Sequence, residues 1–339
     1  MAVLNWRHGA LTIPLLMAAC TEVQVVHEPL IARSGDTITF TARAINQVPP
    51  KSQTIQILVN AQVVKTCNSS PCIYTGGPYP EREGNFVSYA ANISSTYELG
   101  GQDYSVTDVD GYYFTGVTDE DYDFGGSNYL YGRFAGKINE KHDLVFHMDG
   151  DYNNDFEAFV SDAGDKIKDV IGRQDIFESN LHVFNFWVYK KEGVAAGCGN
   201  PHADVNSDMP WRDDDAVLHT VDFQDCANSG QNRFSAEGHN TKAFLHEISH
   251  AVLGLADEYD GPTHYFEPSP EGNIFETEDR CRDEQTAKGR DPDECYKFTN
   301  RSGGWWGIHE GNTVMTRGFV GDPWYTEGEE RVRWFFDQF

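Results

Sequence analysis

A chain of 339 residues with 39% hydrophobic and 13% aromatic content is long enough for two domains, each with its own core, and its composition excludes disorder as the default. Its 53 acidic against 26 basic residues leave a net charge of −27, which excludes a nucleic-acid face and electrostatic docking on anionic lipid. The acids are spread along the chain, so they read as a solubility device for a salty exterior.

Residues 1–20 carry Arg7 and His8, then ALTIPLLMAAC ending at Cys20. A short basic region, an apolar run and small residues before a cysteine describe an export signal, too short to span a bilayer as a helix. LMAAC also resembles a bacterial lipobox, whose cysteine becomes the lipidated first residue of the mature protein; the alternative is a plain signal peptide. The expectation is a secreted or cell-surface protein that meets a membrane only through a lipid anchor at Cys20. Six cysteines then remain, an even number suited to an oxidising compartment. Proximity pairs Cys67–Cys72, Cys198–Cys226 and Cys281–Cys295, and the lack of a CxxC pair argues against a zinc–thiolate site.

Residues 21–105 read as strands. In SGDTITFTARA, Ile38, Phe40, Ala42 and Ala44 alternate with Thr39, Thr41 and Arg43, the period of a half-buried strand. TIQILVNAQVVKT and NFVSYAANIS are further β-rich runs between Pro, Gly and Ser punctuation. Several short strands without a helical period point to a β-sandwich, and VVHEPLIARSGDTITFTA resembles bacterial Ig-like surface modules. Residues 106–140 form an acidic, Gly- and Tyr-rich stretch expected to be a linker. Its paired acids are donors suited to Ca²⁺, but their spacing does not complete an EF-hand loop.

Residues 141–339 follow a different pattern. DLVFHMDGDY reads as a strand ending in a turn, and DFEAFVSDAGDKIKDVIG as an amphipathic helix through Phe156, Phe159, Val160, Ala163, Ile167, Val170 and Ile171. LHVFNFWVY at 181–189 is apolar enough for a strand buried on both faces, and AVLHTVDF at 216–223 fits another. Strand, helix, strand, strand and helix make a mixed α/β layer.

The last of those helices carries NTKAFLHEISHAVLGLADEYD. Asn240 or Thr241 can cap it, and positions four apart share one face, so His246 and His250 can present ring nitrogens to one ion. Glu247 flanks that face, where it can reach a metal-bound water but not easily the metal. Two imidazoles, a third ligand and one open position are the requirements of zinc hydrolysis, with Glu247 as general base. Gly254 allows the chain to turn back and return Asp257 and Glu258 toward the same ion. The order resembles the metzincin plan HExxHxxGxxH, with the glycine one position later and a carboxylate for the third histidine. Asp257 falls at the third-ligand place, with Glu258 as the alternative.

HEISHAVLGLADEYD closely resembles the HExxHxxxGLADEY signature of the IgA-peptidase family of metallopeptidases, and LVFHMDGDY, FNFWVY and HTVDFQDCA extend the resemblance upstream. It covers residues 140–260 well and the C-terminal part loosely. It implies a secreted zinc endopeptidase with His246 and His250 as ligands and Glu247 as base, but not IgA as the substrate. Metzincins also place a methionine beneath the zinc, and GNTVMTRGF offers Met315 for such a Met-turn. Tyr259, His309 and Tyr325 are candidate stabilisers of the oxyanion.

The expected architecture is an α+β multidomain chain: signal segment 1–20, Ig-like β-sandwich 21–105, linker 106–140, and a zincin/metzincin-like mixed α/β catalytic domain 141–339. The expected activity is peptide-bond hydrolysis in an extracellular protein or glycoprotein, with one catalytic Zn²⁺. The alternative is a catalytically inactive, zincin-like surface adhesion protein.

Overall fold

The structure, a computed structural model, describes residues 21–339 apart from 30–31, 47, 80–86, 116–128, 137–139, 172–173, 195–198, 202–208, 222–225, 229–231, 259–271, 298–304, 309–312 and 316–325. The chain forms two compact units, Met1–Glu120 with Arg133–Gly136, and Asp121–Gly132 with Lys137–Phe339.

The first unit contains β1 (Thr21–Glu28), β2 (Ile38–Asn46), β3 (Ser52–Val59), β4 (Gln62–Cys67), β5 (Cys72–Gly76), β6 (Val87–Leu99) and β7 (Gln102–Thr115). They make two antiparallel sheets, in the orders β1-β2-β5 and β4-β3-β6-β7. Period-two burial packs one face of each sheet inward. Phe40 from the first sheet meets Tyr89 of the second with ring centroids 5.2 Å apart. The expected disulfide Cys67–Cys72 forms, and it ties β4 of one sheet to β5 of the other.

The expected linker is corrected in its first part, because β7 continues through Thr115 and makes residues 106–115 strand. The reason lies in its acids. Asp108 Oδ2 accepts the Val23 N–H at 2.8 Å, and Asp110 Oδ2 accepts the Val25 N–H at 2.6 Å. The carboxylates thereby bond two amides of β1, which lies at the end of its sheet. Those two acids serve backbone pairing.

The second unit is built on a six-stranded sheet in the order β12-β13-β11-β9-β10-β8: β8 (Tyr129–Arg133), β9 (His142–Met148), β10 (Phe184–Glu192), β11 (Asp214–His219), β12 (Cys226–Asn228) and β13 (Arg233–Glu237). β10, β9, β11 and β13 run parallel and β12 is antiparallel. β9 and β11 are buried throughout and β10 over its first six residues, as expected of strands covered on both faces. The apolar run 181–189 begins with a 3₁₀ turn, Leu181–Val183, before β10. The helix expected from residue 156 is α1 (Phe156–Asp165), capped by Asp155 and continued as a π-helical turn over Lys166–Ile171. Further described elements of the unit are α2 (Asp175–Glu178), α3 (Thr241–Ala251), α4 (Glu278–Ala287), the pair β14 (Cys295–Lys297) and β15 (Trp306–Ile308), and α5 (Thr326–Phe336). Of these only α3 was legible as an element. Cys281–Cys295 joins α4 to β14 as expected, and Cys226 is disulfide-bonded while Cys198 lies outside the described residues.

The two faces of the sheet differ in chemistry. Phe146 of β9 stacks on Phe244 of α3 at 5.9 Å and Phe234 of β13 meets the same ring at 5.3 Å, so α3 packs on an apolar face. The alternate positions carry buried polar groups. Asp143 Oδ1 accepts from Asn185 Nδ2 and Trp187 Nε1, and Asp215 Oδ1 sits 2.9 Å from His147 Nε2 and 2.6 Å from Arg212 Nε.

Candidate metal centre

α3 starts where β13 ends, and its entry point is set by a close approach. A Cβ on Gly238 would lie 2.1 Å from Asp162 Oδ2 and 2.5 Å from the Tyr152 hydroxyl, two groups joined by a 2.6 Å hydrogen bond. Any larger residue would have to displace that pair. Asn240 Oδ1 then accepts the Ala243 N–H and caps the helix. Residues Ala243 to His250 are all buried, which takes the His246–Glu247–His250 constellation out of bulk water.

The helix ends in a left-handed turn. Gly254 has φ +69°, and a Cβ there would lie 2.7 Å from a guanidinium nitrogen of Arg331. Arg331 of α5 donates from Nε to the Leu253 carbonyl at 2.6 Å, placing a cation on the negative end of the α3 dipole. The chain then returns, and Asp257 comes to lie against both histidines.

His246 Nε2 and His250 Nε2 are 3.0 Å apart, and Asp257 Oδ1 lies 3.3 and 3.2 Å from them. All three residues are buried. Each histidine uses its other nitrogen on a carbonyl, His246 Nδ1 on Val314 O at 2.8 Å and His250 Nδ1 on Leu255 O at 2.7 Å. A carbonyl only accepts, so both Nδ1 atoms carry the proton and both Nε2 atoms present a lone pair. Asp257 Oδ1 accepts no hydrogen bond. Three lone-pair atoms therefore converge in a buried place with no proton between them.

That arrangement fits a zinc ion. Tetrahedral ligands on arms of about 2.0–2.1 Å stand about 3.3 Å from one another, close to the three separations seen. Carbonyl bonds behind each imidazole are the usual support for metal-binding histidine. Burial, helped by neighbouring His246, lowers the His250 pKa, which favours the neutral, ligating form.

Glu258, the alternative third ligand, is turned to other work. Its Oε1 accepts from Asn273 Nδ2 at 2.9 Å, its Oε2 from Thr313 Oγ1 at 2.8 Å, and its N–H donates to Met315 O at 2.9 Å. Met315 is fully buried, and the segment Thr313–Met315 thus bonds both His246, through Val314 O, and the residue after Asp257. Glu247 is buried beside the two histidines on α3. Tyr259, His309 and Tyr325 lie outside the described residues, as does Cys20. His219, in β11, spends Nδ1 on Val221 O.

Sequence reasoning missed three supporting residues: Asn273, Thr313 and Arg331. Thr313 stands two residues before Met315 and could have been suspected from that; the other two belong to no motif.

No protein-family model matches this chain, and no curated protein matches it. Among solved structures it is similar to the fibronectin(III)-like modules of Clostridium thermocellum CbhA. That similarity is 14% identical, covers 29% of this chain and 99% of that one, and has a TM-score of 0.17.

Proposed function

We propose that the second unit is a zinc hydrolase and, more particularly, that the protein is an exported endopeptidase of the kind implied by the HExxHxxxGLADEY resemblance. The observation that carries the reading is the convergence of His246 Nε2, His250 Nε2 and Asp257 Oδ1, each with a lone pair and none with a proton to share. His246, His250 and Asp257 would hold the ion, and Glu258 would not. When bound, zinc supplies a water acidified toward pKa ~7 and polarises the scissile carbonyl. Glu247 takes the proton from the attacking water and hands it to the leaving amine. The Nδ1 bonds to Val314 and Leu255 hold both imidazoles in the ligating tautomer through turnover. On this reading the second unit is zincin-like and the first an Ig-like module, with extracellular proteins or glycoproteins as substrates.

The test pairs metal analysis with a peptide-library cleavage profile. About one zinc per chain is expected. Glu247→Ala keeps the metal and loses turnover, whereas His246→Ala loses both. Metal retained in full by His246→Ala refutes the site, and cleavage undiminished in Glu247→Ala refutes the mechanism.

A further inference from the structure

Asp257 reaches the two histidines from an irregular segment, so something outside the helix must hold it there. Both of its neighbours in sequence are gripped by one side chain. Asn273 Oδ1 accepts the Ala256 N–H at 2.9 Å, and Asn273 Nδ2 donates to the Ala256 carbonyl at 2.7 Å. The same Nδ2 donates to Glu258 Oε1 at 2.9 Å. Asn273 is 4% exposed, and a single amide thus satisfies Ala256 on both sides, as a partner strand would. Glu258 passes the restraint on, through Thr313 Oγ1 and Met315 O, to the segment that also orients His246.

We propose that Asn273 is a positioning residue for the third metal ligand: by clamping Ala256 and Glu258 it fixes the direction in which Asp257 presents its carboxylate. This rests on the metal reading above and goes beyond it, since Asn273 touches neither the ion's ligand atoms nor any part of the HExxH motif. An amide is required there, because the position needs one acceptor and two donors. An aspartate of the same shape has no donor, and would set a carboxylate oxygen against the Ala256 carbonyl and the Glu258 carboxylate.

The test uses the full chain. Zinc affinity is measured by chelator competition, and cobalt(II) loaded in place of zinc reports ligand geometry through its visible absorption. Asn273→Asp should bind zinc about 10–100-fold more weakly, the range for loss of a supporting partner, and should shift the cobalt bands at saturating metal. Glu258→Gln, which keeps the amide of Asn273 and removes one charge from the relay, should give a smaller loss and a band shift in the same direction. Unchanged affinity in Asn273→Asp overturns the proposal, and so does weaker affinity with an unchanged cobalt spectrum, the sign of mere destabilisation. If Asn273→Asp does not fold, Glu258→Gln decides by the same two criteria. Zinc lost by His246→Ala together with a wild-type Asn273→Asp removes this proposal alone; zinc kept by His246→Ala removes the metal reading beneath it.

Discussion

In the N-terminal unit His27 is buried against Tyr89 with ring centroids 5.2 Å apart, donating Nδ1–H to the Pro29 carbonyl and leaving Nε2 without a partner. Burial, with the charge of Arg133 adding to it, lowers its pKa from 6.5 to about 4. In the second unit four buried histidines face carboxylates, His142 with Asp214 at 2.9 Å, His147 with Asp215 at 2.9 Å, and His246 and His250 with Asp257, while His219 bonds the Val221 carbonyl. His147 turns Nε2 toward its carboxylate while its Nδ1 has no partner, so the proton lies between the pair. At His246 and His250 the tautomer is reversed, and lone pair meets carboxylate. The comparison separates two arrangements, a hydrogen-bonded His147–Asp215 pair and the lone-pair cluster of His246, His250 and Asp257. The residue types are the same, and the hydrogen bond on the far side of the ring decides.

The comparison can be broken most directly at the third pair. Glu247→Gln should cut turnover by about 10²–10⁴-fold with zinc content unchanged, as expected for loss of a general base. His147→Gln, in the pair assigned a proton, should leave zinc content at wild-type level. Zinc loss in His147→Gln of the size seen in His246→Ala would erase the distinction between the two arrangements.

Next in size is the choice between neighbouring carboxylates. Asp257→Asn should weaken zinc by more than 100-fold and Glu258→Gln by about tenfold or less, read by chelator competition. The reverse order would transfer the ligand role to Glu258.

The lone histidine predicts a pH effect of opposite sign to that of the paired one. His27 has a lowered folded pKa, so the unfolded chain binds its proton first. Its stabilisation of the first unit is complete above pH ~6.5 and is lost as pH falls toward 4, by about 3 kcal/mol. Burial works against the charged form of His142, but Asp214, Asp213 and Asp143 outweigh it and raise its pKa. That contribution to the second unit is complete below the unfolded value near 6.5 and fades as pH rises through the raised one. Hydrogen exchange of β1–β7 amides in wild type and His27→Leu follows the first effect. Equal acid sensitivity in the two proteins would show that His27 is not its source. Beyond Trp6 every tryptophan is in the second unit, so fluorescence follows the other.

The disulfides should each be felt by their own unit. Cys281–Cys295 closes a separation of 14 residues and Cys67–Cys72 one of 5, giving about 3 and about 2 kcal/mol in the chain-entropy treatment. Removing Cys67–Cys72 should lower hydrogen-exchange protection in β1–β7 and leave zinc affinity alone. A change in zinc affinity would mean that the two units are energetically coupled.

Period-two alternation at Ile38, Phe40 and Ala42, the continuous apolar run at Phe184–Val188, and the four-residue spacing of His246 and His250 are local features, and local sterics translate them directly into strands and helix. So the residues alone determined β2, β10, α3, two of the disulfide pairings and the order helix–glycine–carboxylate. They did not determine the fate of Asp108 and Asp110, whose acidity suggested a solvated linker until β1 was placed beside them. Nor did they anticipate β13, α4 or α5, elements too short or too charged to show a hydrophobic period. The different surroundings of Asp257 and Glu258 belong to the tertiary structure alone. Adjacent carboxylates on an irregular segment are equivalent in sequence, and what separates them is an asparagine 16 residues later and a threonine 55 residues from Glu258. Hydrogen bonds over such distances leave no periodic trace in the chain, because they form only once packing has brought their partners together.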